Sequence, residues 1–241
     1  MIVQTLVTAV LVSASGQQAS SPAQIISKML ARYAEAKTLT GTVVLTQAMG
    51  QQSGQLRTDL QIERPHKLFV RQVKSTNPKD VRIITADGNY MSYNPPQLPW
   101  DDPGKRLVES MKPNRSQLTL MDAYSAGTGG LLDRNATLDI VVGRRADLEY
   151  LRGTWATLEY AGTTEAESEK VHVIAGSWRE YGNAAVTGRF LMWVTDSHDL
   201  RRYVVVENLL VGGQMQRVES RWDVDIQVNA KVDDKLFKLV R

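Results

Sequence analysis

At 241 residues, 42% of them hydrophobic and 23% charged, the chain can bury one sizeable core and is too apolar to be disordered throughout. Its 29 basic side chains are interspersed with 26 acidic ones, with no basic block interleaved with aromatics, which argues against nucleic-acid binding. Cysteine is absent, so disulfides, thiolate metal sites, cysteine nucleophiles and lipidation on a cysteine are excluded together.

Residues 2–12 form an apolar run broken only by Gln4, Thr5 and Thr8, followed by the small and polar residues 13–20. The run is too short to span a bilayer, which takes about 20 residues. It reads as the apolar core and cleavage zone of a secretory signal peptide over 1–20, although no Lys or Arg precedes it. The expected mature protein is a single exported, soluble, non-lipidated domain over 21–241. Ser21-Pro22-Ala23-Gln24 then sets a helix start, with a capping Ser, Pro at the first helical position and Gln placed to close a capping box. Ile25, Ile26, Met29, Leu30 and Tyr33 share one stripe, so the helix, extending to about Lys37, packs one face on a sheet.

A β-branched strand is expected over 39–48, with a turn at 50–54. Residues 56–95 follow as a four-stranded meander. In its first strand Leu56, Leu60 and Ile62 alternate with Arg57, Asp59, Gln61 and Glu63, the period of a strand with one buried face. The run breaks at Arg64-Pro65. Strands over 68–73 and 81–86 come next, separated by a turn at Asn77-Pro78, and Asp87-Gly88 turns the chain into a return strand over 89–93. Prolines at 95, 96, 99 and 103 end that sheet. Residues 105–111 and 116–125 read as short helices, the second carrying Leu118, Leu120, Met121 and Tyr124, so 100–153 is expected to be a helical insertion. Residues 137–142 fit either a strand or part of a helix. Beyond 154 the period of two returns, with strands expected over 157–161, 170–175, 186–194, 200–210 and 214–228. About ten strands joined mostly by short turns imply antiparallel pairing.

No catalytic constellation stands out. His66, His172 and His198 lack metal-ligand spacing, and no metal or other cofactor is indicated. Asp196-Ser197-His198-Asp199 sets triad residue types side by side, but triad members converge from separate parts of a fold, so these read as polar turn residues. Ala126–Gly130 lacks the Lys-Ser/Thr ending of a phosphate loop, and no strand leads into it. Several strands are instead apolar on both faces, Phe69 with Val70 and Val73, and Phe190 through Val194 among them. Such a sheet needs cover on both sides. The helices of 105–125 would supply it as a lid, either over a cavity for an apolar ligand or over a filled core. Candidate cavity residues are Leu56, Leu60, Ile62, Phe69, Tyr93, Leu118, Met121 and Trp193.

The order of these elements resembles the LolA/LolB-like family of periplasmic lipoprotein carriers. The resemblance lies in the helix and strand of 22–48, the strand ending Glu63-Arg64-Pro65, and Ala86-Asp87-Gly88 followed by Tyr93-Asn94-Pro95. It continues in Leu191-Met192-Trp193-Val194-Thr195-Asp196 with Leu200-Arg201-Arg202, and in Val232-Asp233-Asp234 with Phe237. It implies a mainly β fold with some α, an unclosed antiparallel β-barrel with an N-terminal helix, a helical lid and an apolar cavity for acyl chains. It also implies a lid-latching role for Arg64 and a non-enzymatic monomer. The implied partners are an acylated lipoprotein or lipid, with membrane-bound donor and acceptor proteins. The alternative is an envelope-stress sensor of the same fold that binds a signalling protein. Residues 100–185 depart from the carrier pattern.

Overall fold

The structure, a computed structural model, describes residues 21–75, 77–93, 107–110, 136–143, 155–166, 168–178, 188–211 and 213–239. The apolar run of 1–20 and the helix expected over 116–125 lie outside these residues, as does the rest of the insertion apart from 107–110 and 136–143.

The first helix, α1 (Pro22–Glu35), starts as the sequence dictates. Ser21 Oγ accepts from the Gln24 amide at 3.3 Å, and Gln24 Oε1 accepts from the Ser21 amide at 3.0 Å. Its apolar stripe, Ile25, Ile26, Met29, Leu30 and Tyr33, is buried. At about 1.5–3 kcal/mol per fully buried large side chain, packing rather than capping holds α1 in place.

Eleven strands follow: β1 (Thr38–Met49), β2 (Gln52–Glu63), β3 (Lys67–Lys74), β4 (Asn77–Asp87), β5 (Tyr90–Tyr93), β6 (Leu107–Ser110), β7 (Trp155–Ala166), β8 (Glu169–Trp178), β9 (Gly188–Thr195), β10 (Leu200–Val211) and β11 (Gln214–Val228). A short helix, α2 (Ala136–Val142), lies between β6 and β7, and a 3-10 turn, Asp234–Phe237, closes the described chain. All pairings are antiparallel, in the order β6-β5-β4-β3-β2-β1-β11-β10-β9-β8-β7. The closing strand β11 thus returns beside the first, joining two meanders. Among the described residues β6 and β7 do not pair, so this is the unclosed half-barrel that was expected.

Several boundaries differ from the sequence reading: β2 begins at Gln52, inside the turn expected at 50–54, and β7 runs on to Ala166, past the strand expected over 157–161. Asn77-Pro78 begins β4 instead of forming a turn. The β4–β5 turn is Gly88-Asn89, one residue late, because Asp87 Oδ1 accepts from the Asn89 and Tyr90 amides, both at 2.8 Å, and Gly88 takes φ 96°. Residues 107–110 are a strand, not a helix. Four residues are too few for periodicity to decide, and pairing with β5 decides instead. Residues 137–142, which fitted either type, are helical.

The inner face of the sheet carries the core: Leu39 and Val43 on β1, Leu60 and Ile62 on β2, Leu68 and Val70 on β3, Ile84 on β4, Met192 and Val194 on β9, Trp222 and Ile226 on β11. Helices α1 and α2 lie against this face, with Leu138, Ile140, Val141 and Val142 of α2 buried in the same cluster. Gly41 sits where β1 and β11 approach too closely for a side chain. Its φ is 149°, and a Cβ there would run into the Asp225 carbonyl oxygen.

Candidate functional site: the roofed inner face

Strand parity sorts the predicted cavity residues. Leu56, Leu60, Ile62 and Tyr93 lie on the inner face and are buried, Leu60 and Ile62 to 1% and 0% exposure. Phe69 does not join them. It pairs with Gln61, while Leu68 and Val70 pair with Ile62 and Leu60, so Phe69 faces the other side. Trp193 is also on the outer face, between Val173 and Arg202, with the Arg202 guanidinium 5.8 Å from its ring centroid. Both were misplaced because their strands are apolar on both faces, which hides the phase of the alternation. Leu118 and Met121 fall outside the described residues.

Arg64 stands where β2 ends, and its guanidinium gathers the carbonyl ends of both helices. Nη1 donates to Val142 O at 3.2 Å. Nη2 donates to Val141 O at 3.0 Å, Gly143 O at 3.2 Å and Tyr33 O at 3.1 Å. Three acceptors share the two hydrogens of Nη2. The last carbonyls of a helix lack partners within it and form the negative end of its dipole, so a fixed cation there satisfies both needs. One side chain therefore ties the sheet, α1 and α2 together.

Helix α1 has a second set of attachments. Arg32 grips Asp199 at the β9–β10 turn, Nε to Oδ1 at 2.6 Å and Nη2 to Oδ2 at 3.1 Å. Ser197 Oγ also donates to Asp199 Oδ2, at 2.9 Å. The Leu200 amide donates to the Tyr33 hydroxyl at 3.0 Å, and burial holds the Tyr33 phenol well above its ordinary pKa, hence neutral. Helix α2 is held to the sheet by Arg64 among other contacts.

The turn residues Asp196–Asp199 do not form a triad among themselves. Ser197 points to Asp199, and His198 adopts φ 67°. Asp196 instead meets His172 of β8, Oδ1 to Nε2 at 2.8 Å, and the Tyr160 hydroxyl of β7 lies 3.0 Å from His172 Nδ1. With Asp196 accepting from Nε2–H, Nδ1 is left to accept from the phenol. This chain joins the edge strand β7 to the β9–β10 turn. No spacing in the sequence signals it, because only the strand pairing brings the three residues together. Burial and then the Asp196 charge raise the Tyr160 pKa, while burial and then Lys28 lower that of His198.

Among the described residues no group of three or more His, Asp or Glu side chains is placed to hold a metal. Nor is any described helix long and apolar enough to cross a membrane. A cavity of about 380 Å³ opens between the start of β3, the end of β4 and the C-terminal turn, lined by Lys67, Asp87, Asp234, Phe237, Lys238 and Leu239. None of the predicted cavity residues that are described lines it.

No family model matches the sequence, and no curated protein does. Among solved structures, the chain is similar to lipoprotein LppX of Mycobacterium tuberculosis, at 14% identity and a TM-score of 0.46, over 89% of this chain and 99% of that one. It is similar to the Pseudomonas aeruginosa MucA/MucB complex, at 12% identity and 0.44, over 89% and 60% of the two chains. A LolA superfamily protein of Nitrosomonas europaea matches at 11% identity and 0.33, over 92% and 99%. With scores below 0.5, these similarities carry no weight for activity or partners. What the chain itself displays is an open antiparallel half-barrel with helices packed on its inner face.

Proposed function

We propose that the protein is a non-enzymatic carrier that shields the acyl chains of a lipid or lipoprotein on the inner face of its half-barrel. In this reading it is exported, takes cargo from a membrane-bound donor and passes it to an acceptor. One observation carries the reading: a largely apolar inner wall, crossed by the buried polar residues Thr58, Gln72 and Arg82, is roofed by two helices whose carbonyl ends meet on the single guanidinium of Arg64. Breaking those contacts unpairs no strand and loosens the polar hold on α2, leaving the packing of Leu138, Ile140, Val141 and Val142 to keep it on the wall. The gain is sufficient: a twelve-carbon chain buried at about 0.8 kcal/mol per methylene yields roughly 10 kcal/mol, several of which are lost to ordering.

Displacement of a fluorescent fatty-acid probe tests this. Saturable 1:1 binding, reversed by unlabelled fatty acid, is expected. A protein that neither takes up the probe nor releases bound lipid on extraction refutes it.

The alternative, a sensor holding a signalling protein, has one observation in its favour. Strand β7 presents twelve residues of sheet edge with no neighbour on its far side among the described residues, the kind of edge to which a peptide adds as a strand. Its sign would be a bound polypeptide with no acyl lipid.

A further inference from the structure

The two halves of the inner face differ. On β2, β3 and β5 the buried wall is mainly aliphatic, broken by Tyr93 and by Thr58 and Gln72, which hydrogen-bond to each other at 3.3 Å, whereas β7, β9, β10 and β11 contribute an aromatic row. Trp155 and Phe190 have ring centroids 5.6 Å apart, Phe190 and Tyr203 meet edge-on at 5.8 Å, and Tyr203 stacks on Trp222 at 5.5 Å. Strand β8 passes beneath this row with Gly176, where a Cβ would collide with the Phe190 ring, so the row is seated close to the sheet.

This floor holds a polar anomaly. Trp222 is 3% exposed, and its Nε1 is buried without a hydrogen-bond partner among the described residues. A buried indole N–H ordinarily finds an acceptor, and a buried donor lacking one calls for an explanation. The Thr137 hydroxyl of α2 is a second such group in the closed core, on the helix lying over β1, the strand next to β11. Phenylalanine would fill the floor without leaving a donor unsatisfied. A ligand bearing an acceptor beside an apolar chain gives the indole a use.

We propose that the aromatic row is the floor of a lipid subsite in which Trp222 Nε1 donates to the carbonyl of the ester or amide that carries an acyl chain. The inference rests on the acyl-carrier reading and deepens it: the ligand class is an acyl ester or acyl amide rather than a bare hydrocarbon. The chain lies along the rings, and the carbonyl stops at Trp222.

The test uses the full chain with two probes, methyl palmitate and hexadecane, each delivered from cyclodextrin. Trp222→Phe keeps a ring on the floor and removes the N–H. Wild-type protein is expected to bind the ester more tightly than the alkane. The variant should lose about tenfold in ester affinity, the worth of one hydrogen bond, with alkane affinity unchanged. On wild-type protein, the Trp222 indole N–H resonance in a ¹⁵N-labelled sample should move downfield with methyl palmitate and not with hexadecane. That measurement decides the question even if the variant folds poorly. An unmoved indole resonance, or equal ester affinity in wild type and variant, overturns the inference and leaves the carrier reading standing. Failure of wild-type protein to bind either probe overturns both.

Discussion

Replacing Arg64 by leucine removes every hydrogen bond that the guanidinium makes to the helix ends while keeping an aliphatic stem in place. Its contacts to Val141, Val142 and Gly143 hold a helix of seven residues, and isolated helices below about 12–15 residues are marginal in water. A hydrogen bond with one charged partner is worth about 1.5–3 kcal/mol, and a cation at a helix C-terminus about 0.3–2 kcal/mol. These do not add fully, because the carbonyls share hydrogens and recover water when α2 lifts. A net effect of about 2–4 kcal/mol on α2 opening is therefore expected, or about 30- to 1,000-fold in the closed-to-open ratio. Hydrogen–deuterium exchange reads this directly. Amide protection at 136–143 should fall by that factor, while β1 and β11 at the centre of the sheet hold theirs. Uniform loss of protection across the sheet would make Arg64 a global brace and refute the latch. Unchanged protection of α2 would refute it equally.

Three further outcomes are expected. Gly41→Ala should destabilise by about 3–5 kcal/mol, since a Cβ meets the Asp225 carbonyl at a backbone angle that other residues avoid; a lowered urea midpoint with unchanged slope checks this. The Arg32–Asp199 pair, at 37% and 12% side-chain exposure, should show a coupling of about 1–2 kcal/mol in a double-mutant cycle, above the value for exposed pairs but limited by solvent at Arg32. His198 has its folded pKa lowered by burial and by Lys28, so as pH falls below about 6.5 the unfolded chain takes up its proton first. Stability should decline between that pH and the lowered folded value, and His198→Asn, which also tolerates φ 67°, should flatten that segment of the ΔG–pH curve relative to wild type.

The legible parts of this fold are those where one physical signal acts alone. Ser21, Pro22 and Gln24 start α1 by local hydrogen bonding, and Leu56, Leu60 and Ile62 alternate against charged neighbours, so both elements follow from spacing. Where two signals coincide, the sequence misleads. Phe69 and Trp193 belong to strands apolar on both faces, and only the pairing of Phe69 with Gln61 and of Trp193 with Arg202 fixes their side. Residues 107–110 and 136–142 are too short for period to separate helix from strand, so tertiary contacts decide. The site shows the same division. The family resemblance points to Arg64, but its acceptors are backbone carbonyls, which no side-chain pattern encodes. The Tyr160–His172–Asp196 chain depends on three-strand register, and the unsatisfied Trp222 indole on what packs over it. Neither has a one-dimensional signature.

The central claim, that the inner face holds acyl chains, is tested most directly by native mass spectrometry of protein purified from membrane-containing cells without detergent. The account predicts a 1:1 adduct whose added mass is that of an acylated species, lost on solvent extraction and regained on incubation with lipid. A bare chain mass before and after lipid incubation would contradict it.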